Sequence, residues 1–330
     1  MTDIIESILE LPKQCRQAWE EASKITFPDW NIENIVVCGM GGSALAAHVV
    51  QSVAPLKKPL LIVNDYSLPE WSNENTLVIL SSYSGNTEEV LSCAKLAEER
   101  NCKIVGITSG GKLAEWLNEK THVAYIFEPT FNKTAQPRMG IGYGLLAILA
   151  ILNSLNLIVI QLTGEAMDSY FEGLDRWGEG GGVEAEAKEI AEALYGKLPI
   201  IFASDYLNGN AHIFANQLNE TSKTFSTWFS LPEANHHLIE GLKHPEMKNI
   251  AVFLGNHYPE NILNRFHLTK DILAKNGWEI YWINSSVQHE LYLCLHTLFL
   301  SSMTTAYLGL KYGEDPLAIP TVNYFKQKLG

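Results

Sequence analysis

The sequence predicts a doubly wound α/β protein made of two three-layer αβα domains, each built on a parallel sheet. Three observations lead there. Apolar runs at 35–38, 60–64, 76–81, 103–107 and 123–127 are continuous, as in strands covered on both faces. Helical patterns at 44–52, 87–100 and 111–119 fall between them, giving the alternation of βαβ units. The alternation then resumes, with strands at 198–203, 249–254 and 278–284 and helices at 183–195, 212–223, 259–276 and 287–311. The expected domains are 1–160, including a lead-in helix, and 161–330, each of ordinary size.

Residues 2–24 form an amphipathic pattern that Ile4, Ile5, Ile8, Leu9 and Leu11 could dock, with Pro12 breaking its first part. Met139 to Leu162 carries no formal charge and is long enough to span a bilayer. Asn153, Ser154 and Asn156 interrupt it, however, and Gly140, Gly142 and Gly144 crowd its start, so a buried helix over 144–153 is expected instead. Trp177 to Gly182 is the clearest compositional break and reads as a flexible hinge.

With 330 residues, 46% hydrophobic and 18% charged, the chain can bury a large core. Its formal charge is -13, and no Lys or Arg run is long enough to follow a phosphate backbone, so nucleic acid and acidic membranes are poor partners. A small phosphate in a pocket suits this field better than a polyanion. Cys15, Cys38, Cys93, Cys102 and Cys294 form no CxxC pair, Cys38 and Cys294 lie in apolar runs, and the start of the chain carries acids early without a signal-peptide pattern; a cytoplasmic location is expected.

Ser81-Ser82-Tyr83-Ser84-Gly85-Asn86-Thr87-Glu88-Glu89 lies between a strand and a helix. The first N–H groups of a helix lack intrahelical partners and carry the positive end of its dipole, so a phosphate is favoured there and the hydroxyls of Ser82, Ser84 and Thr87 add donors. Taken alone, the stretch fits an ordinary turn equally well, with Thr87 as N-cap. Cys38-Gly39-Met40-Gly41-Gly42-Ser43 is a second strand-to-helix loop of the same kind. Two such loops at the carboxyl ends of parallel strands would flank one crevice.

Arg138 follows Pro137 and opens the uncharged run, where it either reaches solvent or serves a buried anion. Glu220 lies near a helix end, unfavourable for an acid by about 0.3–1 kcal/mol, unless it pairs with Lys223. His236 and His237 fall on a predicted loop, without the spacing of a metal site. In the tail, Ile319, Val322 and Phe325 step by three, so a short helix could dock one face and aim Lys326 at the body.

Together, Gly39-Met40-Gly41-Gly42-Ser43, Ser82 to Glu88, Pro137-Arg138, Asn219-Glu220-x-x-Lys223, Pro232-Glu233-x-Asn235-His236 and the Asp315-Pro316 tail ending in Lys326 resemble the bifunctional phosphoglucose/phosphomannose isomerase family, built from two sugar isomerase (SIS) domains. The resemblance runs from about residue 30 to the end. It implies a metal-free and cofactor-free isomerase of carbohydrate metabolism, serving glycolysis and gluconeogenesis, that interconverts glucose 6-phosphate and mannose 6-phosphate with fructose 6-phosphate. By matching position, Gly41, Gly42, Ser43, Ser82, Ser84 and Thr87 would hold the 6-phosphate, and Arg138 would stabilise an enediolate. Glu220 would carry the proton between carbons 1 and 2, while His236 and Lys326 would assist ring opening. The histidine of such enzymes often crosses a dimer interface, which implies a homodimer.

The chain departs from the family pattern in two places. Asn235-His236-His237-Leu238 stands where members commonly read Asn-His-Asn-Glu, and Ile319 where they place a threonine, with Thr321 two residues on. Two other functions were weighed. A sugar-phosphate-binding regulator would not need Glu220, His236 and Arg138, and the helix-turn-helix expected of one is not apparent. An amidotransferase would need a glutaminase domain, for which there is no room before residue 30.

Overall fold

The computed structural model describes residues 2–243 and 248–329. Its elements are α1 (Thr2–Leu9), α2 (Leu11–Ala22), β1 (Asn34–Cys38), α3 (Gly42–Val53), β2 (Leu60–Val63), β3 (Thr76–Ser81), α4 (Glu88–Glu99), β4 (Lys103–Thr108), α5 (Gly111–Glu119) and β5 (Val123–Ile126). There follow α6 (Ile141–Ser154), α7 (Gly164–Glu179), α8 (Gly182–Leu194), β6 (Leu198–Ala203), α9 (Asn208–Glu220), β7 (Thr227–Ser230), β8 (Asn249–Leu254), α10 (Glu260–Lys275), β9 (Glu279–Ile283), α11 (Glu290–Lys311) and α12 (Pro320–Leu329). The chain divides into two compact units. One is Leu9–Arg176; the other runs from Trp177 onward and takes in the residues before Leu9.

In the first unit the strands pair in parallel in the order β2-β1-β3-β4-β5. β3, at the centre, is buried at every position. Side chains alternate across a strand, so Val36, Cys38, Val78, Leu80 and Ile104 join Val90 and Cys93 of α4 and Leu113 and Leu117 of α5 in one core cluster. Their sequence neighbours Ile35, Val37, Leu77 and Ile79 are equally buried, which explains why these strands read as unbroken apolar runs. The Met139 to Leu162 run becomes α6, whose Ile141 to Leu152 is buried except at Gly144, with α2 and α3 packed against it. A 14-residue helix is too short to cross a bilayer. Among the described residues one helix, α11, is long and apolar enough to do so, and 83% of its apolar window is buried.

The second unit holds a parallel sheet in the order β7-β6-β8-β9. Here α11 packs on α8 and α9. Gln217 of α9 donates through Nε2 to Ser302 Oγ of α11 (2.9 Å), giving a buried polar side chain its partner inside the core.

Several elements differ from expectation. The Trp177 to Gly182 segment is mostly helical: α7 continues through Glu179 and α8 starts at Gly182, after a turn in which Gly181 takes φ +70°, and the boundary between the two units falls at its start. α7 itself was not anticipated, although Met167, Phe171 and Leu174, all buried, follow helical spacing. β7 was also missed; four half-buried residues give no clear alternation. The tail does form a helix, but its apolar stripe does not dock: Val322 is 38% and Phe325 60% exposed. The side chain of Lys326 lies outside the described residues.

Candidate active site

In the first sheet the strand order reverses between β1 and β3. Adjacent loops diverge to opposite faces at such a point and leave a crevice beyond the carboxyl ends of the strands. The two loops there are the glycine loop after β1 and the serine loop after β3. They are joined directly: the Tyr83 N–H donates to Ser43 Oγ (3.1 Å), and Ser81 Oγ donates to the Ser43 carbonyl (3.4 Å).

Thr87 is the N-cap residue of α4, yet its side chain does not cap the helix. Its hydroxyl is paired with Ser82 Oγ (2.8 Å), which also accepts from the Gly85 N–H (3.1 Å). Gly41, the N-cap of α3, has no capping side chain at all. Neither helix start has a side-chain cap, although the Ser43 and Ala44 N–H groups of α3 donate to the Met40 (3.2 Å) and Gly41 (3.1 Å) carbonyls; a helix start without a side-chain cap suits an anion. Ser82 is 1% exposed and shapes the loop from within, whereas Ser84 is exposed and Ser43 and Thr87 are half-buried. Gly85, at φ +68°, is held so tightly that a β-carbon there would collide with the Gly110 carbonyl, so only glycine fits this turn.

The backbone of Arg138 meets the glycine loop. It lies in a 3-10 turn, Pro137–Met139, and a β-carbon at Gly42 would stand 3.2 Å from the Pro137 carbonyl oxygen, so the two backbones touch. A shallow pocket is lined by Gly42, Ser43, Tyr83, Phe127, Pro137 and Gly140, among others. Arg138 is 6% exposed, and its Nη1 donates to Gln136 Oε1 (3.0 Å).

The segment from Glu128 to Gln136 has no helix or strand of its own, so its backbone is satisfied by short turns, such as the Asn132 N–H donating to the Pro129 carbonyl (3.1 Å), and by side chains from other elements. Gln14 of α2, fully buried, donates through Nε2 to the carbonyls of Phe131 (2.9 Å) and Met139 (3.0 Å). The Tyr143 hydroxyl accepts from the Phe131 N–H (2.9 Å) and donates to Gln17 Oε1 (3.0 Å). Burial holds the Tyr143 phenol well above its usual pKa, so it stays neutral for both roles. Sequence reasoning missed this brace. The signal was Gln14 itself, a polar residue within the stripe of Leu11, Cys15 and Ala18.

The second sheet also reverses direction, between β6 and β8, but its switch point is filled from within. The Tyr258 hydroxyl donates to the Leu254 carbonyl (2.9 Å) and accepts from the Ser204 N–H (3.4 Å), and its ring packs on Tyr206 at 5.1 Å between centroids. A phenol thus occupies the place where the first sheet keeps a crevice.

Glu220 closes α9 and is half-buried. Lys223 donates from Nζ to the carbonyls of Glu220 (2.8 Å), Thr221 (3.3 Å) and Asp315 (3.0 Å), so the ammonium covers the helix end and ties it to the tail. Asn219 fixes the other side, donating to the Ser226 carbonyl (2.9 Å) just before β7. Glu220 therefore stands at the amino edge of this sheet.

His236 lies at the opposite edge. The chain leaves β7 at Ser230, the Leu231 N–H donates to the Ala203 carbonyl at the end of β6 (2.8 Å), and His236 ends the 3-10 turn that follows, exposed. About five residues of extended chain at ~3.3 Å each separate the two edges. This unit therefore does not bring Glu220 and His236 together. His237 pairs with Glu233 through Nε2 (2.8 Å).

Residues 30–137 match the model of the SIS domain, and residues 183–329 match that of the bacterial phospho-glucose isomerase C-terminal SIS domain. The chain is 30% identical to the bifunctional phosphoglucose/phosphomannose isomerase of Aquifex aeolicus (strain VF5), with 94% of each chain covered. It is also 30% identical to the enzyme of the same name from Caldicellulosiruptor bescii, with 99% of this chain and 98% of that one covered. A solved structure from Clostridium difficile 630 superposes with a TM-score of 0.77 over 100% of this chain and 99% of that one, at 17% identity, a likeness of fold. With its two domain matches in order and relatives aligned along nearly its whole length, the chain belongs to the bifunctional phosphoglucose/phosphomannose isomerase family.

Proposed function

We propose that the protein interconverts glucose 6-phosphate and mannose 6-phosphate with fructose 6-phosphate by moving a proton between carbons 1 and 2. The observation that carries this reading is the direct joining of the glycine and serine loops through Ser43 at the reversal of strand order, with the Pro137-Arg138 backbone against Gly42. Gly41, Gly42, Ser43, Ser82, Ser84 and Thr87 form the phosphate cradle. The Glu220 carboxylate removes the proton at carbon 2 of the open aldose. The electron pair becomes an enediolate, whose charge Arg138 offsets. Glu220 then returns the proton to carbon 1 while the hydroxyl proton passes from oxygen 2 to oxygen 1, so the product is an isomer and nothing is consumed.

The test is turnover of all three hexose 6-phosphates in both directions, in chelator and in D2O. Activity that survives chelation, with solvent deuterium entering the product at carbon 1 or 2, is the expected result. Loss of activity with chelator would sink the metal-free route, and full retention of the carbon-bound hydrogen would sink the exchangeable carboxylate.

The working unit is a homodimer in the cytoplasm. Glu220 and His236 stand at opposite edges of their sheet, which supports a site that takes its histidine from His236 of the partner subunit; Lys326 assists ring opening beside it. Subunit mixing checks this. Glu220→Gln and His236→Ala proteins, each impaired alone, should regain activity when unfolded and refolded together, because one site of the mixed dimer then has both groups. No gain on mixing would place both groups in one chain.

A further inference from the structure

We infer that Asn132 is a positioning residue that sets Arg138 against the phosphate loops, a role that deepens the isomerase reading and depends on it. The Asn132 side chain is 3% exposed, and its amide nitrogen donates twice: to the Tyr83 hydroxyl (2.8 Å) and to the Gln136 carbonyl (3.0 Å). Its oxygen accepts from the Thr134 hydroxyl (2.8 Å), which fixes which end of the amide faces which partner. Gln136 in turn accepts from Arg138 through its side chain. At the other end, Tyr83 is the residue whose N–H holds Ser43. A continuous path thus runs from the glycine loop through Tyr83, Asn132 and Gln136 to Arg138. Burial raises the Tyr83 pKa, so the phenol stays protonated and its oxygen remains a neutral acceptor.

The geometry explains why a side chain is needed here. The 128–136 segment has only isolated turn bonds of its own, with no sheet or helix ladder to tie it to the serine loop. A catalytic charge displaced by about 1 Å loses much of its effect, so its backbone must be held by something other than secondary structure. Asn132 reaches the serine loop and the Gln136 backbone with one amide group.

The experiment compares Asn132→Ala and Tyr83→Phe in the full-length protein. Tyr83→Phe keeps the ring and the backbone bond to Ser43 and removes only the acceptor, so it carries the test if Asn132→Ala folds poorly. Both should lower kcat, Asn132→Ala by about tenfold, and leave KM for hexose 6-phosphate within about twofold. Added to Arg138→Lys, Asn132→Ala should cost under about twofold more, because the residue acts through the arginine. A second readout needs no turnover: Arg138 labelling by phenylglyoxal, followed by mass spectrometry, should be several-fold faster in both variants. Unchanged kcat and labelling, or a fully additive double variant, would overturn the role of Asn132. A wild-type protein without turnover would overturn the isomerase reading instead, and labelling would still decide whether Asn132 holds Arg138.

Discussion

Glu220→Gln is expected to lower isomerase turnover by about 10²- to 10⁴-fold, the range that a positioned acid–base group contributes, with binding of glucose 6-phosphate retained. The substitution is nearly isosteric, and the local frame would survive it. Lys223 bonds the main-chain carbonyl of residue 220, and Asn219 holds the following turn to Ser226, so neither contact involves the carboxylate. The expected signature is therefore a loss in kcat with a small change in KM and in thermal midpoint. A variant with wild-type turnover would remove Glu220 from the chemistry. A variant that neither turns over nor binds would show that the residue acts on the fold or the phosphate site.

Arg138→Ala should come next in size, with a fall of about 10²- to 10³-fold in kcat, the usual cost of removing one preorganised donor facing developing charge. Its backbone contact with Gly42 brings it beside the glycine loop, and at 6% exposure its charge is little screened by solvent. Arg138→Lys keeps the charge but not the planar fork, and an intermediate rate is expected. Because the cradle hydroxyls remain, competitive inhibition by inorganic phosphate should persist in both variants. Loss of phosphate inhibition with kcat intact would reassign Arg138 to the phosphate.

Much of the fold was legible because doubly covered parallel strands leave a strong trace. β1, β3, β6 and β8 are each buried throughout or nearly so, and each was visible as an apolar run. β7 left none, since an edge strand of four half-buried residues has no pattern to offer. The glycines before Val183 marked the region where the two units divide, but a glycine residue cannot reveal whether its neighbours continue a helix, and α7 does continue. The tail stripe pointed to docking, yet periodicity reports a face and not what covers it.

The two strand-to-helix loops could be singled out from sequence because their pattern is local: a strand, a short run of small and hydroxyl residues, and a helix start lie within ten residues. Arg138 and Glu220 could be singled out as charges in awkward places, without any indication of what surrounds them. What only the tertiary structure decided is long-range. It placed both loops at the reversal of strand order, filled the equivalent point of the second sheet with Tyr258, put Glu220 and His236 at opposite sheet edges, and bonded Gln14 to Met139 and Asn132 to Gln136, on either side of Arg138. The physical reason is that helix and strand periods are set by neighbouring residues, whereas a buried amide is satisfied by whichever group folding brings beside it. Gln14 and Met139 are separated by 125 residues, and no local pattern links them.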